Sequence, residues 1–225
     1  MSLLISSSLV VLLLIFAAIT FERTRPKPRD LMPVVVLTAL AILGRVVMMP
    51  IPNFQPATAL IILAGFFFGR NAGLLCGMLV AFISNMIMVQ GPWTPWQMLA
   101  WGLVGYGAGI LGDMFSNTSR TPCQPEAHTP CHPEAKPKDP TRLRQIITII
   151  YGIVTSMLFG MIMDLQFFIA YAWETGWSGL IATWAMGFSM NVAHAVSTLV
   201  FLILVLVPWG KKLQRLKTKY GIQSI

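Results

Sequence analysis

The stretch VQGPWTPWQMLAWG, Val89 to Gly102, sets two prolines, three tryptophans and two glutamines between two apolar runs, 72–90 and 95–112. Each run approaches the roughly 20 residues that a helix needs to cross a bilayer. The turn between them, Gly91–Pro95, carries no charge. Two apolar helices joined so tightly must run antiparallel, which reads as a hairpin across a membrane.

The same pattern extends in both directions. Further apolar spans are expected at 3–21, 31–49, 55–69, 145–171 and 179–207. Hydrophobic residues make up 56% of the 225-residue chain and charged residues 11%, against about 25% charged in a soluble domain. The expectation is an all-α polytopic membrane protein with seven spans. Span 3–21 lacks a basic n-region and an A-x-A cleavage site before Phe21, which favours a retained helix over a signal peptide. Span 55–69 is short, with Pro56 tolerated at its first turn, and reads as tilted or partly re-entrant.

Basic residues orient the spans. One set of connections holds Arg23, Arg25, Lys27 and Arg29, then Arg70, then Arg120, Lys136, Lys138, Arg142 and Arg144, and finally the tail from Lys211 to Lys219. The alternate set, 50–54, 91–94 and 172–178, has no Lys or Arg; of the sixteen basic residues only Arg45 falls inside a span. Seven spans separate the two sets, and one span more or fewer would mix them. The positive-inside rule then puts the C-terminus in the cytoplasm and the N-terminus outside. It also explains the net charge of +8 without nucleic acid as a partner.

Three short external turns concentrate polar and aromatic chemistry. Gln90, Trp93, Trp96 and Gln97 flank the first, where an interfacial aromatic belt is the competing reading. Asn53 and Gln55 lie in the proline-stiffened PIPNFQP, Pro50–Pro56, and AWETGWS, Ala172–Ser178, adds Trp173, Glu174 and Trp177. Rigid amides and rings above a bundle suit capture of a neutral or zwitterionic organic solute.

Polar groups within membrane spans are functional candidates by default. Here they are Arg45, Asn85, Asp164, Asn191 and His194, most of them on the external half. Bland readings compete. Arg45 and Asp164 can form a structural ion pair, or Arg45 can snorkel; Asn85 can bridge helices; His194 can be a core histidine. Gly65, Gly69, Gly73, Gly77, Gly102, Gly105 and Gly109 read as close helix packing.

No Walker A, H-E-x-x-H or G-x-S-x-G sequence is present, so no ATPase engine or catalytic centre is expected. The loop Asp113–Pro140 holds a tandem repeat, TPCQPEAH then TPCHPEAK, Thr121–Lys136. Its C-x4-H-x2-C-H spacing matches no standard zinc site, and no metal is expected. It reads as a low-complexity insertion whose cytoplasmic Cys123 and Cys131 stay reduced.

Three stretches carry a family resemblance: RDLMPVVVLTALAILGRVVMMPIPNFQPATALIILAG (Arg29–Gly65), FGRNAGLLCGMLVAFISNMIMVQGPWTPWQMLAWGLVGYGAGIL (Phe68–Leu111), and the end beginning NVAHAVSTLVFLILVLVPWG at Asn191. They resemble an S component of an energy-coupling factor (ECF) transporter, most of all the subgroup that includes cobalamin and cobinamide carriers. Val89 stands where a GQGPWTPWQ-like turn would have its first glycine.

The resemblance implies a six-helix S-component core plus one extra N-terminal transmembrane helix. Its segments are 1–30 (extra helix and basic linker), 31–112 (four core helices), 113–144 (cytoplasmic loop), 145–210 (last two core helices) and 211–225 (basic tail). It implies a plasma-membrane location in a prokaryote and an external vitamin site. It also implies an ECF module of a membrane coupling protein and two cytoplasmic ATPases that use ATP, so that this chain needs no cofactor of its own. Many S components dock through an A-x-x-x-A pair. Here Ala39 and Ala41 are two apart, and Thr38, Ala41 and Gly44 at i, i+3, i+6 offer the small docking face.

Other readings are an S component for a queuosine precursor, a flavin or another small vitamin; a solitary transporter coupled to protons through Asp164 and His194; and an intramembrane enzyme. Deleting 119–138 is expected to leave ligand binding by the purified protein unchanged; lost binding would give the repeat a direct role.

Overall fold

The computed structural model describes residues 27–118 and 140–220, with Ser8, Leu12, Ile15, Ile19 and Glu22. Apart from those isolated positions, the expected helix 3–21 lies outside the described residues, as does the repeat at 121–136.

Six α-helices make up the fold of the described residues: α1 (Pro28–Val47), α2 (Ala57–Phe68), α3 (Arg70–Ile87), α4 (Thr94–Thr118), α5 (Pro140–Phe167) and α6 (Gly176–Tyr220). Among the described residues, four helical stretches are long and apolar enough to cross a membrane: Pro28–Val47, Arg70–Ile87, Thr94–Ser116, and Arg142–Leu206, which takes in most of α5, its reversal and the first two thirds of α6. The 20 residues of α1 rise about 30 Å, the thickness of a bilayer's hydrocarbon core. The 12 residues of α2 rise only about 18 Å.

α2 is apolar on every side (ATALIILAGFFF) and every residue except Phe66 is buried. A helix without a polar face belongs inside a bundle. α2 touches all five other helices. The expectation of a short span at 55–69 therefore resolves into a buried central helix.

Glycine lets α2, α3 and α4 approach backbone to backbone. A Cβ on Gly73 would strike the Gly105 carbonyl and the Gly65 Cα. One on Gly77 would strike the backbone at Trp101 and Gly102, and one on Gly109 would strike Gly69 and Arg70. Small residues draw membrane helices together by removing the side-chain spacer. Gly69 also makes the turn from α2 to α3, at φ 107, a conformation that only glycine adopts without strain.

α5 and α6 form a long hairpin. It reverses through a π-helical turn, Phe168–Ala172, and a 3-10 turn, Trp173–Thr175. Two boundaries differ from expectation. α4 continues to Thr118 and α5 starts at Pro140, so the 113–144 loop is shorter than expected at both ends. α6 continues through Pro208 to Tyr220, so the basic residues of its end extend a helix.

The small face of α1 packs against the bundle. Thr38 and Ala41 are buried against the bundle, and a Cβ on Gly44 would strike the ring of Pro56. Thr38, Ala41 and Gly44 thus form the inward face, and small size serves internal packing. The outward face carries Met32, Val35, Val36, Leu43 and Val47, all strongly exposed.

Gly73→Leu and Gly105→Leu are each expected to cost roughly 1–3 kcal/mol or more through overpacking, read as a lower unfolding midpoint in detergent. Ala39→Leu, on the exposed face of α1, should leave the midpoint in place. Equal midpoints for all three would refute the close-packed glycine seam.

Candidate functional site: a buried arginine on an aromatic stack

Arg45 enters the bundle from the last turn of α1 and is only 7% exposed. Its Nη1 donates to the Ser84 hydroxyl and, at 2.9 Å, to Asn85 Oδ1. Its Nη2 donates to Gln97 Oε1 at 3.4 Å. The Asn85 amide nitrogen donates to Thr94 Oγ1 at 2.9 Å and to Gln97 Oε1 at 2.8 Å. One guanidinium thus ties α1 to the end of α3 and the start of α4.

Aromatic rings continue the site inward. The guanidinium carbon lies 4.8 Å from the centroid of Trp101, within cation–π range. Trp101 stacks on Phe159 at 4.9 Å and 19°, and Phe159 on His194 at 5.0 Å and 15°. Thr58 closes the far side: its hydroxyl accepts from Trp101 Nε1 at 3.0 Å and shares a 2.9 Å hydrogen bond with His194 Nε2. Arg45, Trp101, Phe159 and His194 form one column running from α1 through α4 and α5 to α6.

The column is rich in donors and poor in acceptors. Among the described residues no ion pair of Arg45 is seen, whereas Arg70 pairs with Asp113 at 2.7 Å. All oxygens that accept from Arg45 belong to neutral side chains. Its Nε is buried without a partner, and so is Trp184 Nε1 on α6. A buried donor without an acceptor costs about 1–3 kcal/mol, and more when charged.

The other expected residues fall into two groups. Asn191 Nδ2 donates to Asp164 Oδ2 at 2.7 Å, joining α6 to α5. A Cβ on Gly187 would strike that same carboxylate. The alternative of an Arg45–Asp164 ion pair is therefore not realised: Asp164 is held within the hairpin by Asn191. Asp164 and His194 likewise have different partners.

The loop residues mostly hold loops in place. Asn53, at φ 55, donates from Nδ2 to the Met190 carbonyl at 3.2 Å. The Gln55 backbone N–H donates to Ser197 Oγ at 2.7 Å, and the Ser197 hydroxyl donates back to the Gln55 carbonyl at 3.0 Å. Gln90 is exposed and donates to the Phe82 carbonyl at 3.2 Å. The Trp93 ring covers Gly91, and Trp96 is half-buried on the first turn of α4. Of the residues in and beside the Gly91–Pro95 turn, Gln97 reaches the column, whereas Gln90 and Trp93 engage their own hairpin.

Ser84, Thr94, Thr58 and Phe159 were not legible as site residues. Ser84 beside Asn85, a polar pair in an apolar helix, was the available signal. Phe159 has no sequence mark that separates it from other core aromatics.

Asn85 and Gln97 bond to each other and to the same cation, so their contributions should not be independent. Asn85→Ala, Gln97→Ala and the double variant, compared by thermal unfolding, are expected to depart from additivity by about 0.5–3 kcal/mol. Simple additivity would show that the three groups do not act as a network.

No curated protein and no solved structure gives a significant match to the chain. A protein-family model matches residues 4–211, nearly the whole chain, including both halves of the buried column. The chain belongs to the family of unknown function DUF6580.

Proposed function

We propose that this protein is the substrate-binding membrane subunit of a micronutrient uptake system, an S component that works with a separate ECF module of a coupling protein and two ATPases. The observation that carries the reading is the buried Arg45 column, a polar cluster at the end of α1 that rests on the Trp101–Phe159–His194 stack. Three of the residues expected from sequence to touch a ligand, Arg45, Asn85 and Gln97, converge there from three helices. The proposed orientation has this end outside and the Lys/Arg-rich end in the cytoplasm, with the protein in the plasma membrane of a prokaryote.

The unpartnered buried donor Arg45 Nε favours a ligand that brings acceptors, as carboxylate, phosphate or amide carbonyl oxygens. The exposed Trp173 and Trp177 at the turn between α5 and α6 favour one with a flat or macrocyclic apolar body. A cobalamin or cobinamide, with amide side chains around a corrin ring, meets both demands and is the first candidate; a flavin or a queuosine precursor is the next. A solitary proton-coupled carrier draws less support, because Asp164 and His194 share no hydrogen bond among the described residues.

Native mass spectrometry and absorbance of the purified protein in detergent test the reading. Added cobalamin should bind one to one. Arg45→Gln and Gln97→Ala should each weaken it about ten-fold or more, as expected for hydrogen bonds to a charged or buried partner. Gln90→Ala should bind like the parent. No ligand from a panel of vitamins, or full affinity in Arg45→Gln, would overturn the proposal.

A further inference from the structure

At the opposite end of the bundle a cavity of about 370 Å³ opens between α2, α5 and α6. It is distinct from the Arg45 column. Phe66 and Phe67, at the end of α2, and Leu206 of α6 form its apolar wall. Arg144 and Gln145 come from the start of α5, and Gln214 and Arg215 from the far end of α6. None of its lining residues is acidic. Two cations, two amides and a phenylalanine wall thus share one recess.

Its position matches its chemistry. The apolar run of α6 gives way to Lys211 and Lys212 just past Gly210, and α5 opens with Arg142 and Arg144, so the wall belongs to the apolar part of the bundle and the arginines to its charged edge. Arg144 is held in place: its Nη2 donates to the Phe115 carbonyl at 3.0 Å, and its guanidinium lies 5.6 Å from the Phe115 ring centroid. Arg215 is exposed on a helix that also carries Lys211, Lys212 and Lys219. Arginine forks match phosphate oxygens, and amide N–H groups add neutral donors. Basic pockets between membrane helices on the Lys/Arg-rich side suit anionic head groups.

We propose that this cavity binds a phosphate group, held between Arg144 and Arg215 with donors from Gln145 and Gln214. A phosphate diester whose tail lies along Phe66, Phe67 and Leu206, the head of an anionic phospholipid, fills both halves of the cavity. A soluble phosphate would use the polar half alone. The inference does not depend on the ligand of the Arg45 column.

The test is native mass spectrometry of the delipidated full-length protein, titrated separately with phosphatidylglycerol, phosphatidylcholine and inorganic phosphate. Phosphatidylglycerol is expected to bind one to one at least ten-fold more tightly than phosphatidylcholine. Arg215→Gln should lose about ten-fold in that affinity, and Arg215→Lys should recover most of it, because a lysine still supplies a point charge to phosphate. Gly210→Leu should also reduce binding. A Cβ at Gly210 meets only Phe67 Cζ at 3.6 Å and Leu206 Cδ1 at 3.9 Å, so the backbone tolerates the change while the longer side chain occupies the recess. Circular dichroism and gel filtration establish that the variants remain folded. Saturable binding of inorganic phosphate that Arg215→Gln abolishes, with no preference between the lipids, would support the site and identify a soluble source. Equal binding of both lipids without phosphate binding, or unchanged affinities in Arg215→Gln and Gly210→Leu, would overturn it.

Discussion

The rest of this structure depends on the direct backbone contact between α3 and α4. Gly73 against Gly105, and Gly77 against Trp101 and Gly102, bring two helix axes closer than any side chain would allow. That approach sets Ser84 and Asn85 of α3 beside Thr94 and Gln97 of α4. The corner so formed is where Arg45 is received. With a methyl group at the seam, the helices would separate and the polar groups above it would lose their register.

Arg45 is then a consequence with its own demands. A guanidinium removed from water is expensive unless its donors are met. Here neutral oxygens and the Trp101 face meet most of them, and Nε is left over. A purely structural ionic lock would pair the cation with an acid, and Asp164 was a candidate. Instead Asp164 is bound by Asn191 within the α5–α6 hairpin. The bundle thus keeps a cation, a ring stack and open donor capacity together at one end. At the other end, two arginines and two glutamines line a second recess. The two ends differ in kind: a buried column above, an accessible basic cavity below.

The hairpin of α5 and α6 adds a contrast in packing. From Gly176 to Met190 only Leu180 is buried, while large apolar side chains such as Trp177, Ile181, Met186 and Phe188 are exposed. α2 is the opposite case, with almost nothing exposed. Exposed apolar surface on helices of this length is what a lipid environment accommodates. The fold therefore combines a densely packed centre around α2 with an apolar periphery.

The sequence by itself determined the class, because apolar run length and charge depletion are local quantities that count residues. It determined the α3–α4 hairpin, since four residues between two apolar runs, 72–90 and 95–112, admit few alternatives. It picked out Arg45, Asn85 and Gln97 because polar groups in apolar runs are costly wherever they end up. Only the tertiary structure decided how such groups pair, since a hydrogen bond between Arg45 and Asn85 depends on where two helix faces meet. It turned Thr38, Ala41 and Gly44 inward, because helical spacing defines a face but not what lies against it. It tied Asn53 and Gln55 to α6 and left Gln90 exposed, although all three looked alike as loop amides. The Trp101–Phe159–His194 stack joins three helices far apart in the chain, and no spacing within any one of them could announce it.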